Sequence, residues 1–275
     1  MRFHNTILYI LLSIAVMSCI DDVDPEKFDI GEEKVVINGV ISPSDTVIRV
    51  QVSHTKAIIG EYEYDLESQL VEPDAEVLLS NEDGLEVALT YSQNSRMYEV
   101  KADDFTLVPG KNYFLAVSLR GKTYRSQCTI PAGEITEMGH RVKRVDEYET
   151  DLSVSFRDIA GEENFYRVGA FTNSEAGGGS IASFGIDTFQ NDNVGDGATI
   201  TAISDYFYYY GEDDSITVQV ANIEEVLYRY QYAKYNYEGD DPFTEPVAFP
   251  SNIEGDAIGI FTGYTYFTKK FKLEN

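Results

Sequence analysis

The residue best placed by its neighbours to undergo chemistry is Cys19. An apolar run from Ile7 to Val16 leads into Val16-Met17-Ser18-Cys19, with Arg2 and His4 upstream as a short basic segment. A small residue directly before a cysteine is similar to the bacterial lipobox, in which the thiol is diacylated and the chain is cut on its amino side. Val16 stands where leucine is commonest, and Met17 replaces the usual small residue. The competing reading is an ordinary secretory signal with an incidental cysteine, but such signals end in an A-x-A-like site that is missing here. The apolar run is roughly ten residues, against the ~20 needed to span a bilayer. Residues 1–18 therefore read as a lipoprotein signal peptide and Cys19 as the lipidated residue. Each buried methylene of an acyl chain contributes about 0.8 kcal/mol, so two or three chains hold a protein on a membrane without a spanning helix.

Other reactive side chains lack the company that catalysis requires. In Tyr124-Arg125-Ser126-Gln127-Cys128-Thr129-Ile130 the alternation puts Cys128 on one face with Tyr124 and Ile130, as a buried strand residue behaving like a small hydrophobe. Downstream of the signal the histidines are His54 and His140, far apart in sequence. Asn191-Asp192-Asn193-Val194-Gly195-Asp196-Gly197 looks superficially like a calcium loop, yet Asp196 occupies the position where the turn needs Gly, and Ala202 that of the bidentate Glu. Turn chemistry explains it better, as it does Glu212-Asp213-Asp214 and Asp240-Asp241-Pro242. The sequence holds no G-x-S-x-G elbow, H-E-x-x-H, C-x-x-C, P-loop or dinucleotide fingerprint. Acidic residues are too numerous for any one pair to stand out as a glycosidase site. The expectation is no catalytic residues, no metal and no cofactor.

These residues must be carried by elements that the patterning describes as mostly β. Residues 19–33 are charged, contain Pro25, and read as an acidic tether. Residues 34–131 alternate short β-type runs with turn signals, as a sandwich does. The runs are 35–41, 47–52, 75–79, 85–91, 97–100, 113–117 and 122–130, and Pro73 precedes the third on a sheet edge. This order resembles a transthyretin-like or carboxypeptidase-regulatory-like β-sandwich. Residues 132–275 read as a second β-rich domain, with strands at 152–156, 165–171, 198–203, 206–210, 215–220 and 264–273. The polar stretch holding Gly177-Gly178-Gly179 and Asn191-Asp192-Asn193 between them reads as loop. One α-helix is expected at about 222–237, opened by a capping box between Asn222 and Glu225 and stopped by Gly239 and Pro242. Ile223, Val226, Leu227, Tyr230 and Ala233 form its apolar face.

Tyrosine is abundant, with 20 residues against no tryptophan. Tyr228, Tyr232 and Tyr235 fall off the helix's apolar face. With Phe243 in the following loop they are the candidate partner-contact residues, since tyrosine offers large amphipathic area at low entropic cost. The alternative is ordinary packing with hydroxyls at the rim, because strands favour tyrosine in any case. The formal charge of −26 repels phosphate backbones and argues against nucleic-acid binding.

Several stretches together resemble a family of Bacteroidota outer-membrane lipoproteins catalogued as domain of unknown function 4249. They are Val36-Ile37-Asn38-Gly39-Val40-Ile41-Ser42-Pro43, Pro73-Asp74-Ala75, and Gly121-Lys122 through Cys128-Thr129-Ile130-Pro131. Asp241-Pro242-Phe243-Thr244-Glu245-Pro246, Ser251-Asn252-Ile253-Glu254-Gly255 and Gly259-Ile260-Phe261 complete the set. Asp256-Ala257-Ile258 stands where a shorter, Gly-rich turn is usual. The resemblance implies an outer-membrane lipoprotein, often encoded near a TonB-dependent transporter, and supplies no catalytic residues. Ile20-Asp21-Asp22 after the cysteine is similar to the export signal that sends such lipoproteins to the cell exterior, and reads equally as the acidic start of a tether. The expected role is a lipid-anchored accessory or binding module acting with such a transporter in ligand capture. The rivals are a surface adhesin or spacer and, further off, a hydrolase with an unrecognised carboxylate site. Replacing the anchor thiol tests the first step: a Cys19→Ala chain should lose palmitate labelling and leave the membrane fraction, and a chain still membrane-bound refutes anchoring.

Overall fold

Alternation of apolar and polar residues lays down the first seven strands. In β2 (Val47–His54), Ile48, Val50 and Val52 are fully buried while Arg49 points to solvent. With β1 (Val35–Ile41), β3 (Glu76–Asn81), β4 (Glu86–Ser92), β5 (Met97–Lys101), β6 (Asn112–Leu119) and β7 (Lys122–Thr129), it forms an antiparallel run in the order β1-β2-β5-β4-β3-β6-β7. The β6–β7 hairpin turns on Arg120 and Gly121, both at positive φ, the geometry whose twist suits a two-residue loop. The computed structural model describes residues 33–56, 70–144, 150–173, 181–205, 215–237 and 249–272. The chain divides into two units, Met1–Glu33 with Lys56–Tyr64 and Lys34–Thr55 with Asp65–Asn275, and nearly all described residues lie in the second.

The curled run of strands encloses one core, with Ile37, Ile48, Leu79, Tyr98, Tyr113 and Ile130 at its centre. Buried tyrosines satisfy their hydroxyls. Tyr98 donates to the Glu72 carbonyl and accepts from the Ala75 amide, both at 2.7 Å. Cys128 lies in this core, and burial pushes its thiol pKa up, so it is an inert packing residue.

A second core forms where two sheets face each other. The smaller sheet contains β8 (Met138–Arg144), β9 (Thr150–Arg157) and β13 (Thr199–Ile203) in the order β13-β9-β8. The large sheet continues through β10 (Phe165–Asn173), β11 (Ile181–Ala182), β12 (Phe189–Asn191), β14 (Ser215–Ile223) and β15 (Ile258–Lys272). Leu152, Val154 and Phe156 from β9 meet Tyr166 and Val168 of β10 and Val218 and Val220 of β14. The Tyr166 hydroxyl donates to Asp158 at 2.6 Å and accepts from the Ile159 amide, so this buried tyrosine is paired too.

The long last strand joins the two halves. Its first part, 258–263, pairs parallel with β1, from Val36↔Ile258 to Ile41↔Gly263. Its second part, 264–272, pairs antiparallel with β14, from Ile223↔Tyr264 to Ser215↔Lys272. Phe261 enters the first core, while Phe267 and Phe271 pack on the second. Asn252 holds the strand's start: its amide donates to the Phe261 carbonyl at 2.7 Å, and its oxygen accepts from the Phe261 amide at 2.9 Å. The same segment binds β7, through the Ser126 hydroxyl donating to the Asn252 carbonyl and the Glu254 backbone amide donating to the Arg125 carbonyl.

The mostly β expectation with one described helix holds, and the differences are local. β8 falls where no strand is expected. β11, β12 and two short 3-10 turns lie within the stretch read as loop, and β15 begins six residues before the expected strand. The predicted strand at 206–210 lies outside the described residues.

Two glycines let β15 approach its neighbours. Gly259 has φ of 121°, and a Cβ there would stand 2.0 Å from the Ile37 carbonyl oxygen; at Gly263 a Cβ would be 2.8 Å from the Ile130 Cα. Backbone cannot yield as a side-chain tip can. Gly259→Ala should cost about 3 kcal/mol or more in urea unfolding, while Gly169→Ala, with open space around it, should stay within about 0.5 kcal/mol. Equal midpoints for the two variants contradict the packing described.

Candidate functional site

The single described helix, α1 (Glu225–Tyr235), lies on the outer face of the large sheet where the two halves meet. It starts later than expected because its flanking polar residues have other partners. Asn222 is the penultimate residue of β14 and is 1% exposed. Its amide donates to Asn164 Oδ1 at 3.2 Å and to the Ala132 carbonyl at 3.4 Å, so the capping box with Glu225 does not form. Glu224 occupies the cap position, and its side chain makes no cap hydrogen bond. Instead its carboxylate accepts from the Thr129 amide at 2.8 Å, the Gly263 amide at 2.7 Å and the Thr262 hydroxyl at 2.9 Å. One side chain thus ties the end of β7 to the middle of β15. Burial nevertheless raises the carboxyl pKa, outweighing three donors that favour the charged form.

Beneath α1 is a pocket of about 560 Å³. Its floor is the outward row of the sheet: Asn38 and Val40 of β1, Ile260 of β15, and Arg167 of β10. Register explains the set, since Asn38 is paired with Ile260 and Arg167 with Phe189. Residues of the opposite parity on these strands, such as Ile37, Phe261 and Val168, point into the two cores. Phe189 and Thr188 make one wall. The helix closes the top with Leu227, its one buried residue, and with Gln231, Lys234 and two tyrosines, Tyr230 and Tyr235.

An aromatic cluster fixes the helix over this space. Phe189 is the hub, with ring centroids 6.2 Å from Tyr228, 6.0 Å from Tyr232 and 5.8 Å from Tyr235. Tyr228 also meets Phe165 at 5.1 Å and stacks on Tyr232 at 6.0 Å. On the helix's other shoulder Tyr230 meets Phe249 at 5.6 Å. The three candidate contact tyrosines are therefore brought together. Tyr228 serves mainly to pack, whereas Tyr232 and Tyr235 remain 40% and 51% exposed. Phe243, Cys19, Ile20, Asp21 and Asp22 lie outside the described residues.

Elsewhere the titratable groups are committed to structure. His54 and Arg120 both meet Glu72 Oε1, at 2.8 and 2.6 Å. His140 lies against the Phe271 ring at 4.1 Å, and burial with Lys269 nearby holds its pKa down. Asn191 caps a 3-10 turn by accepting from the Asn193 amide, and Asp196 accepts from the Gly161 amide, as turn residues do. No group of three His, Cys, Asp or Glu able to hold a metal occurs among the described residues. No helix among them is long and apolar enough to cross a membrane.

Sequence reasoning did not single out Glu224, Arg167, Gln231 or Lys234. The alternation of Phe165-Tyr166-Arg167-Val168 does mark Arg167 as outward-facing, but only the fold brings it under a helix 58–68 residues later. In comparison with known proteins, a family model described as Domain of unknown function (DUF4249) matches residues 20–270. No curated protein matches the chain.

The position of Glu224 has a measurable consequence. In Glu224→Gln one carboxylate oxygen becomes a donor facing donors, which should cost about 1–3 kcal/mol. A raised folded-state pKa means that the proton binds more tightly in the folded chain. That contribution is complete below the ordinary glutamate pKa and is lost as pH rises through the raised one. The wild-type margin over Glu224→Gln in denaturant titrations should therefore be larger near pH ~4 than near pH ~7. A margin that widens toward neutrality would contradict the burial-dominated environment.

Proposed function

The chain belongs to the DUF4249 family, and from that membership we propose that it is a lipid-anchored outer-membrane binding lipoprotein. It faces the cell exterior and acts with a TonB-dependent transporter in ligand capture. The observation that carries the reading is the pocket under α1. Its volume lies within the ~300–1,000 Å³ of small-molecule sites, and it combines apolar and aromatic walls with a few converging polar groups. The lipobox-like Cys19 supports tethering, and the acidic Asp21-Asp22 after it supports the outward leaflet. Tyr232 and Tyr235 form an exposed aromatic rim beside the pocket and suit contact with a partner.

In-cell cross-linking of the native lipoprotein with mass spectrometry tests this. The expected neighbour is a TonB-dependent transporter, with cross-link yield per folded molecule falling at least several-fold in a Tyr232→Ala, Tyr235→Ala double variant. Cross-links only to other surface proteins, unaffected by the substitutions, would instead favour a spacer or adhesin.

A further inference from the structure

We propose that the pocket under α1 binds a small organic carboxylate that carries an aromatic or aliphatic body and a hydrogen-bond donor. The proposal rests on the binding-module reading above and names the ligand class of that site.

Charge is the first argument. Asp and Glu outnumber Lys and Arg by 47 to 21 in this chain, yet among the described residues the pocket lining contains Arg167 and Lys234 and no carboxylate. Neither cation forms an ion pair among the described residues, although a surface pair, Arg229–Glu225, forms on the same helix. Two cations lining a concave, partly apolar space, neither in an ion pair among the described residues, favour an anion. A guanidinium suits a carboxylate in particular, because its fork can meet both oxygens.

Polar satisfaction is the second. Gln231 Oε1 is buried and has no hydrogen-bond partner among the described residues. An unpaired buried acceptor is costly, and Gln231 lines the pocket, so turning its amide toward a ligand hydroxyl or N–H would recover a hydrogen bond the protein alone does not make. Shape is the third. Phe189 and Tyr235 give the lining aromatic surface and Val40, Leu227 and Ile260 aliphatic surface, which suits a planar or aliphatic body rather than a bare inorganic anion.

Ligand-observed NMR with a panel of hydroxylated aryl and alkyl carboxylates tests the proposal, each acid being paired with its methyl ester and the corresponding primary amine. Acids should bind at least ~10-fold more tightly than their esters and amines, and affinity should fall as salt is raised. Arg167→Gln and Lys234→Gln should each weaken the best acid several-fold. Both residues are exposed in the described structure, so the variants should fold, as near-ultraviolet circular dichroism checks. Because the chain has no tryptophan, Tyr235→Trp places a single indole in the pocket wall that can be excited apart from the tyrosines, and its fluorescence should shift with the same acids. Esters or amines binding as tightly as acids, binding unaffected by either cation substitution, or no binding by any panel member would overturn the proposal. Transporter cross-links without acid binding would leave the accessory reading standing and remove this one. Acid binding without such cross-links would do the reverse.

Discussion

The described structure depends on one strand being hydrogen-bonded along two different edges at two different heights. β15 gives residues 258–263 to β1 and residues 264–272 to β14, so the ladder that closes the first core continues into the sheet that covers the second. Its pairing with β1 is parallel, joining chain segments more than two hundred residues apart, which makes it a costly contact to form in chain entropy. That cost is offset where it falls by the Asn252 amide on Phe261, the glycines at 259 and 263, and Phe261 in the first core.

Glu224 is the polar counterpart of this seam. A buried carboxylate is tolerated only when its oxygens are occupied, and here donors from Thr129, Thr262 and Gly263 converge on it from two strands. Its position immediately before α1 has a structural consequence. The backbone carbonyl of Glu224 starts the helix by accepting from Leu227 and Tyr228, while its side chain fixes that starting point to β7 and β15. The helix is thereby set over Ile260 and Asn38 rather than over the open sheet. The pocket lies between the two, with Phe189 forming one wall.

Most strands are legible in the sequence because each has one wet face and one dry one. β2, with Ile48, Val50 and Val52 inward, needs no tertiary information to be recognised. β8 resists that reading because its inward residues are Met138, His140 and Val142, and its outward ones include Arg141 and Lys143. A histidine on an apolar row hides the period until Phe271 is known to lie against it. The start of the helix departs from its pattern for a related reason: Asn222 and Glu225 have capping spacing, but burial commits the Asn222 amide to Asn164 and Ala132. The pocket's make-up was not legible at all, since Asn38, Arg167, Lys234 and Ile260 come from four elements and meet only through register. Three of the stretches that carry the family resemblance, 36–43, 251–255 and 259–261, prove to be β1, the Asn252 clip and the start of β15. The resemblance therefore tracked the seam, although nothing in those residues taken alone announces one.

A chain with a formal charge of −26 looks at first a poor host for an anion. Range resolves the conflict. At physiological ionic strength charges beyond about 8 Å are largely screened, so the net charge governs approach more than it governs binding once contact is made. Among the described residues the charges lining the pocket are Arg167 and Lys234, and the apolar walls of Phe189, Leu227 and Ile260 exclude part of the water that would screen a bound group. An acidic exterior around a cationic recess thus repels polyanions, whose charge meets the whole surface, while admitting a small monoanion with enough apolar body to gain from the walls. The same reasoning separates this recess from the Glu72 site. There a carboxylate already neutralises Arg120 and meets His54, leaving no comparable attraction for a ligand.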